Sequence, residues 1–188
     1  MDKTFSGKYI LSFSIVAVVL VVGGIFLLRQ TSEPQPAPIS IELVKNMEYY
    51  DAECDTRVKL QNGISEQVNY PCKGETLPGF LIRIYNEKIA FGDLTHDGEE
   101  EAAVILSANY GGSGDFRRLV IIGSQSGNTT EIVSKDLGDR TIINTISIQD
   151  SRIVLDILTH ASQDPACCPT KEEVVEYELI NGNELRRI

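Results

Sequence analysis

Basic residues are scarce in this chain of 188 residues, where 17 lysines and arginines stand against 27 aspartates and glutamates. Lys3, Lys8, Arg29 and Asp2 precede residue 30, so residues 30–188 hold 14 bases and 26 acids, a net charge of −12. That balance excludes nucleic acid as a partner and electrostatic docking on anionic lipid, both of which need basic patches. It is compatible with divalent cations. No stretch repeats at a fixed period, which excludes a solenoid or a propeller built within the chain. No cysteine lies near the end of the first apolar segment, which excludes lipoprotein-type cleavage and acylation. Gly111-Gly112-Ser113-Gly114 leads toward a strand at Leu119 and not into a helix N-terminus, so it reads as a hairpin loop and not as a phosphate cradle.

What is present first is an apolar run. Tyr9–Leu28 carries no charge, and about 20 apolar residues suffice to cross a hydrocarbon core of roughly 30 Å. A cleaved signal peptide has a shorter apolar region, roughly 7–15 residues, ending at small residues; this run ends at Leu27-Leu28-Arg29. The reading is therefore an uncleaved transmembrane anchor at 9–29. Lys3, Lys8 and the terminal amine precede it and Arg29 alone follows, so residues 1–8 are expected in the cytoplasm and the rest outside. Residues 30–40 carry Pro34, Pro36 and Pro38 and read as an extended tether. Residues 41–188 form the expected extracytoplasmic domain.

That domain reads as mainly β, a single antiparallel fold with one short helical stretch at Ile41–Asn46. Leu81–Tyr85 and Ile89–Asp93 read as strands, Ala102–Ala108 is a nearly continuous apolar run, and Leu119–Ile122 is another. Thr141–Gln149 and Arg152–His160 form the clearest hairpin, turning at Asp150-Ser151. Pairing outward from that turn sets Ile148 opposite Ile153, Ile146 opposite Leu155, Asn144 opposite Ile157 and Ile142 opposite Thr159. A last hairpin joins Val174–Ile180 to Leu185–Ile188 through Asn181-Gly182.

Between two of these strands lies an acidic loop in which Asp93, Asp97 and Glu101 fall four apart, with Thr95 and Gly98 between them. Oxygen ligands at alternate positions of a tight loop suit a hard cation such as Ca²⁺, and the glycine permits the sharp turn. An EF-hand also needs a glutamate eleven residues after the first aspartate. That position is Val104, so this is no EF-hand. Flanking strands instead resemble the calcium loops of FG-GAP-like repeats, whose closing acid comes eight residues after the first, here Glu101; His96 replaces their usual glycine. The expected ligand set is Asp93, Thr95, Asp97, Glu101 and the backbone carbonyl of Glu99.

All four cysteines, Cys54, Cys72, Cys167 and Cys168, lie on the side placed outside, where thiols oxidise. They allow three pairings. Cys54 with Cys72 closes a weakly cored segment; the adjacent pair then forms a strained eight-membered ring or stays as two thiols. The swapped pairings require one backbone turn to serve two distant partners. A thiol or redox enzyme, or a cysteine-dependent one, would use Cys167 or Cys168 with His160 as base and Asp156 to orient it.

Three stretches, taken together, resemble bacterial extracytoplasmic domains of the LppP/LprE lipoprotein family. They are Gly92–Gly98 running into Ala102–Val104, the glycine loop with its following strand, and Leu137-Gly138-Asp139-Arg140 through His160 to Asp164-Pro165-x-Cys167-Cys168-Pro169-Thr170. The similarity covers roughly residues 45–180, its last element being the most specific. This chain differs in having a helix in place of a lipid anchor and in the additional pair Cys54 and Cys72. The resemblance implies an envelope location and bridges Cys54–Cys72 and Cys167–Cys168. The function expected is a membrane-anchored extracytoplasmic binding or structural module, stabilised by Ca²⁺, meeting an envelope protein or ligand; the thiol enzyme is the alternative.

Overall fold

Helix is confined, among the described residues, to a single five-residue segment. The computed structural model describes residues 38–125 and 127–188, so the expected segments 1–8 and 9–29 and residues 30–37 of the tether lie outside the described residues. Among the described residues no helix is long and apolar enough to cross a membrane. Helix α1 (Ile41–Lys45) starts at Ser40, whose Oγ accepts the Leu43 N–H at 3.2 Å, satisfying one of the donors that a helix start leaves free. Asn46 ends it and its Oδ1 accepts from Asn62 N at 2.9 Å, so the cap also anchors the turn at Asn62-Gly63.

Everything else regular among the described residues is β, and every pairing there is antiparallel. Strands β1 (Glu48–Asp51) and β2 (Thr56–Lys59) form one hairpin. A five-stranded sheet contains β3 (Ile64–Gln67), β6 (Phe80–Gly92), β7 (Glu101–Asn109), β8 (Phe116–Gln125) and β9 (Asn128–Asp139), in that order. Strands β4 (Tyr70–Cys72) and β5 (Glu75–Leu77) form a separate hairpin whose turn, Lys73-Gly74, has φ of 49° and 87°. Two successive positive φ values are what a two-residue hairpin with the native strand twist needs. Strands β10 (Ile142–Gln149), β11 (Arg152–Thr159), β12 (Lys171–Ile180) and β13 (Glu184–Arg187) make a four-stranded meander. Glu173 joins three of its strands, accepting from Lys171 Nζ at 2.8 Å, Thr159 Oγ1 at 2.7 Å and Arg187 Nη2 at 2.9 Å. These donors hold its carboxyl at about 2.

The central strand β7 is buried from Glu101 to Ala108. Its alternate residues enter two different cores. Ala102, Val104 and Leu106 join Val44, Tyr49 and Val58 on one side, whereas Ala103 and Ile105 join Ile153, Leu155 and Val175 on the other. The five-stranded sheet is thus the middle layer, with the meander on one face and α1, β1 and β2 on the other. A strand covered on both faces has no solvated side to write polar residues on, which is why Ala102–Ala108 is an apolar run and not an alternation.

Three sequence expectations change in detail. The separate strands at 81–85 and 89–93 are one strand, β6, with an irregularity between Ile84 and Ile89. Strand β9 was not expected. In the β10–β11 hairpin the pairs Ile148–Ile153 and Ile146–Leu155 hold, but a bulge between Ile143 and Thr145 sets Ile143 opposite Ile157 and Ile142 opposite Leu158. The extra residue turns Ile143 into the core at 6% exposure and Ile142 outward at 44%. Asn144 at the bulge finds partners of its own: its carbonyl accepts from Lys88 Nζ at 2.8 Å and its Nδ2 donates to Asp156 at 3.1 Å.

Candidate functional site

The acidic loop joins β6 to β7 and is folded by its own amides. Asp93 Oδ1 accepts from His96 N at 2.6 Å and Oδ2 from Gly98 N at 3.0 Å, Asp97 Oδ1 from Glu99 N at 2.8 Å, and Glu101 Oε2 from Leu94 N at 2.8 Å. Although desolvation works to raise the Asp93 pKa, the amides of Gly98, His96 and Asp97 outweigh it and hold the carboxyl below its ordinary value. Glu101 is the reverse: 4% exposed, it is raised mainly by desolvation. His96, standing where FG-GAP-like loops carry glycine, adopts φ of 64°, a left-handed backbone that is uncommon for residues with a Cβ.

These residues fit a hard cation in donor type. Each engaged carboxylate oxygen has a second lone pair, and Thr95 Oγ1 is buried with no hydrogen-bond partner among the described residues. The Glu99 side chain has no place in the set, its expected contribution being its carbonyl. Among the described residues, no group of three or more His, Cys, Asp or Glu is gathered as metal ligands would be.

The cysteine constellation is arranged for structure. Cys54 is bonded to Cys72 and Cys167 to Cys168, and no cysteine is free among the described residues. Bonded sulfurs offer no thiolate. Asp156 is held by Asn144, and His160 is exposed, with no hydrogen bond joining the two among the described residues.

The glycine loop and the stretch from Leu137 to Thr170 meet at Arg140. Its guanidinium donates to Asp139 Oδ2 at 2.6 Å, to Ala166 O at 2.9 Å and to Ser113 O at 2.5 Å, so one side chain clasps the glycine loop, the β9–β10 corner and the Cys167-Cys168 loop. Asp164 closes that last loop, accepting from Ala161 N at 2.7 Å and from Thr170 N and Oγ1 at 2.8 Å. In the glycine loop, Gly111 has φ of 81° and sits so close to Gly79 that a Cβ would lie 2.9 Å from the Gly79 carbonyl. The acidic loop lies at the opposite end of β7, where His96 Nδ1 and Ser151 Oγ are 3.3 Å apart.

A more enclosed, largely apolar feature with room for a ligand was not anticipated from the residues. A cavity of about 540 Å³ opens between the β4–β5 hairpin and the five-stranded sheet, within the range of roughly 300–1,000 Å³ typical of small-molecule sites. Its floor is Ile82, Leu106 and Ala108; Cys72 and Leu77 close it on the hairpin side, and Tyr110 and Phe116 form the far wall. The Cys54–Cys72 bridge fixes the hairpin to the β1–β2 loop. Aromatic rings continue the wall inward. Tyr70 stacks on Phe80 at 3.8 Å, Phe80 meets Tyr110 at 5.6 Å and Tyr110 meets Phe116 at 5.8 Å.

Behind this wall Asp51 has no exposed surface and accepts from Tyr110 Oη at 2.7 Å, Tyr70 Oη at 3.3 Å and Glu53 N at 3.1 Å. Desolvation and then Asp51 push the Tyr70 hydroxyl up to about 12 and raise Tyr110 further, so both remain donors. One signal in the sequence was available: Tyr110 and Phe116 bracket the glycine loop. Searches against protein-family profiles, curated proteins and solved structures find no match to the chain.

Proposed function

We propose that residues 41–188 are a non-enzymatic ligand-binding module held outside the cell membrane by the segment 9–29. The observation that carries the binding role is the cavity of about 540 Å³ under the bridged hairpin. A disulfide supports an oxidising compartment, and the charge of residues 30–188 argues against nucleic acid. Ala108 lies on the cavity floor, so Ala108→Phe fills it. Calorimetric melting of the full chain in dodecyl maltoside, with neutral, anionic and cationic aromatic compounds at millimolar concentration, tests the reading. At least one class raises the melting temperature of the unaltered protein by a few degrees and none raises that of Ala108→Phe; if no class discriminates between the two proteins, the cavity is not a binding site. The location has its own test: protease added to spheroplasts digests residues 41–188, and protection until the membrane is broken would reverse the orientation.

The acidic loop supports a second, structural ligand. The Gly98-to-Asp93 hydrogen bond closes the loop, and the buried, unpartnered Thr95 hydroxyl favours Ca²⁺ held by Asp93, Thr95, Asp97, Glu101 and the Glu99 carbonyl. At ten times its Kd such an ion stabilises the fold by about 1.4 kcal/mol. Thermal unfolding in millimolar Ca²⁺ against chelator then shows a shift of a few degrees that Asp97→Ala abolishes. No shift at 10 mM (roughly ten times the weakest affinity of extracellular calcium modules) leaves the loop an amide-closed turn.

A further inference from the structure

We infer that the cavity takes an organic cation with an apolar body, an ammonium on an aromatic or aliphatic frame. This rests on the binding role proposed above and adds the sign of the ligand's charge. Three features of the cavity carry it.

Its floor is aliphatic, Ile82, Leu106 and Ala108, so the body of the ligand is apolar. Its far wall is aromatic, with Phe116 42% exposed and Tyr110 beside it at 5.8 Å; an aromatic face offers a cation an attraction that it does not offer an anion. The rim decides the rest. Arg117 is neutralised by Asp115, and Arg118 and Asp136, opposite each other on β8 and β9, keep their charges and cancel in the count. Glu53, Glu75 and Lys73 have no side-chain hydrogen bond or ion pair among the described residues, which leaves two unengaged carboxylates against one ammonium at an exposed hairpin tip. Asp51 adds a further negative charge behind Tyr110. The excess of acids over bases across residues 30–188 acts in the same direction at longer range. An anion would meet the carboxylates and gain nothing from the aromatic wall.

The chain has no tryptophan, so Phe116→Trp places a single fluorescent reporter in the wall and keeps its aromatic face. The full chain with this substitution, in dodecyl maltoside micelles, is titrated with benzyltrimethylammonium, benzyl alcohol and benzenesulfonate, which share a ring and differ in charge. The cation quenches saturably and binds about tenfold more tightly than either of the others. Its affinity falls severalfold in Glu53→Gln/Glu75→Gln and in 0.5 M salt. Calorimetric titration of the unaltered chain gives the same order without relying on the substitution. If the alcohol or the sulfonate binds as tightly as the cation, the charge assignment is overturned while the cavity stands as a site; if none binds in either protein, both are overturned.

Discussion

Replacing Cys54 and Cys72 together by serine lowers the stability of the domain by about 3 kcal/mol and removes ligand binding at the cavity. The magnitude follows from the loop that the bridge closes: the two cysteines are 18 positions apart, and denying the unfolded chain a loop of that size is worth about 3 kcal/mol in the chain-entropy account. Each kcal/mol moves the melting temperature of a domain near 150 residues by roughly 2–4 °C. The loss of binding has a separate cause. Hairpin β4–β5 pairs only with itself, through Tyr70–Leu77, Pro71–Thr76 and Cys72–Glu75, and belongs to neither larger sheet. Without the bridge, a cavity wall is held by a three-pair hairpin anchored only at its base, where Tyr70 stacks on Phe80 and meets Asp51, and isolated hairpins are marginal in water. The matching control is Cys167→Ser/Cys168→Ser. Adjacent residues close almost no loop, and Asp164 and Arg140 already hold that segment, so its melting temperature changes little. Chemical denaturation of both double variants makes the comparison. Equal losses would mean that the first bridge is not what positions the hairpin.

The sequence made legible what is local and what is buried on two faces. Ala102–Ala108 and Leu119–Ile122 stood out because β7 and the middle of β8 contact both cores, and the Asp150-Ser151 turn stood out because its flanking isoleucines and leucine alternate. The acidic loop could be read as a tight turn because the partners of its carboxylates lie within eleven residues, Asp93 to its own amides and Glu101 back to Leu94. Strand β9 escaped notice for a definite reason: two bulges, at Arg117/Arg118 and Ile121/Ile122, shift its pairing with β8, and much of it is half-buried. Its apolar residues, Ile132, Val133 and Leu137, therefore keep neither period. The bulge at Asn144 was hidden for a related reason, since the two-residue alternation continues in the sequence past the point where the backbone departs from it. The cavity was beyond reading because Asp51, Cys72, Leu106 and Phe116 belong to different strands, and nothing in local spacing says which strands are neighbours.

Asp51→Ala destabilises the domain by about 2–5 kcal/mol, although it removes a carboxylate that folding had to strip of water. Three donors converge on that carboxylate, Tyr110 Oη, Tyr70 Oη and Glu53 N. With alanine there, each buried hydroxyl left without an acceptor costs about 1–3 kcal/mol. The two tyrosines do not suffer equally. Tyr110 stands on the cavity wall, where water can replace its acceptor, whereas Tyr70 is 4% exposed and stacked on Phe80. Its hydroxyl has nowhere else to turn, and its 3.3 Å bond matters more in the deletion than its length suggests. Removing the donors as well separates this cause from others. In a Tyr70→Phe/Tyr110→Phe background the same Asp51→Ala change loses about 1–3 kcal/mol less, because no hydroxyl is orphaned. Urea denaturation of the four proteins closes the cycle. If Asp51→Ala costs the same in both backgrounds, the tyrosines are not its partners in any energetic sense, and Asp51 acts only through the turn that it caps at Glu53.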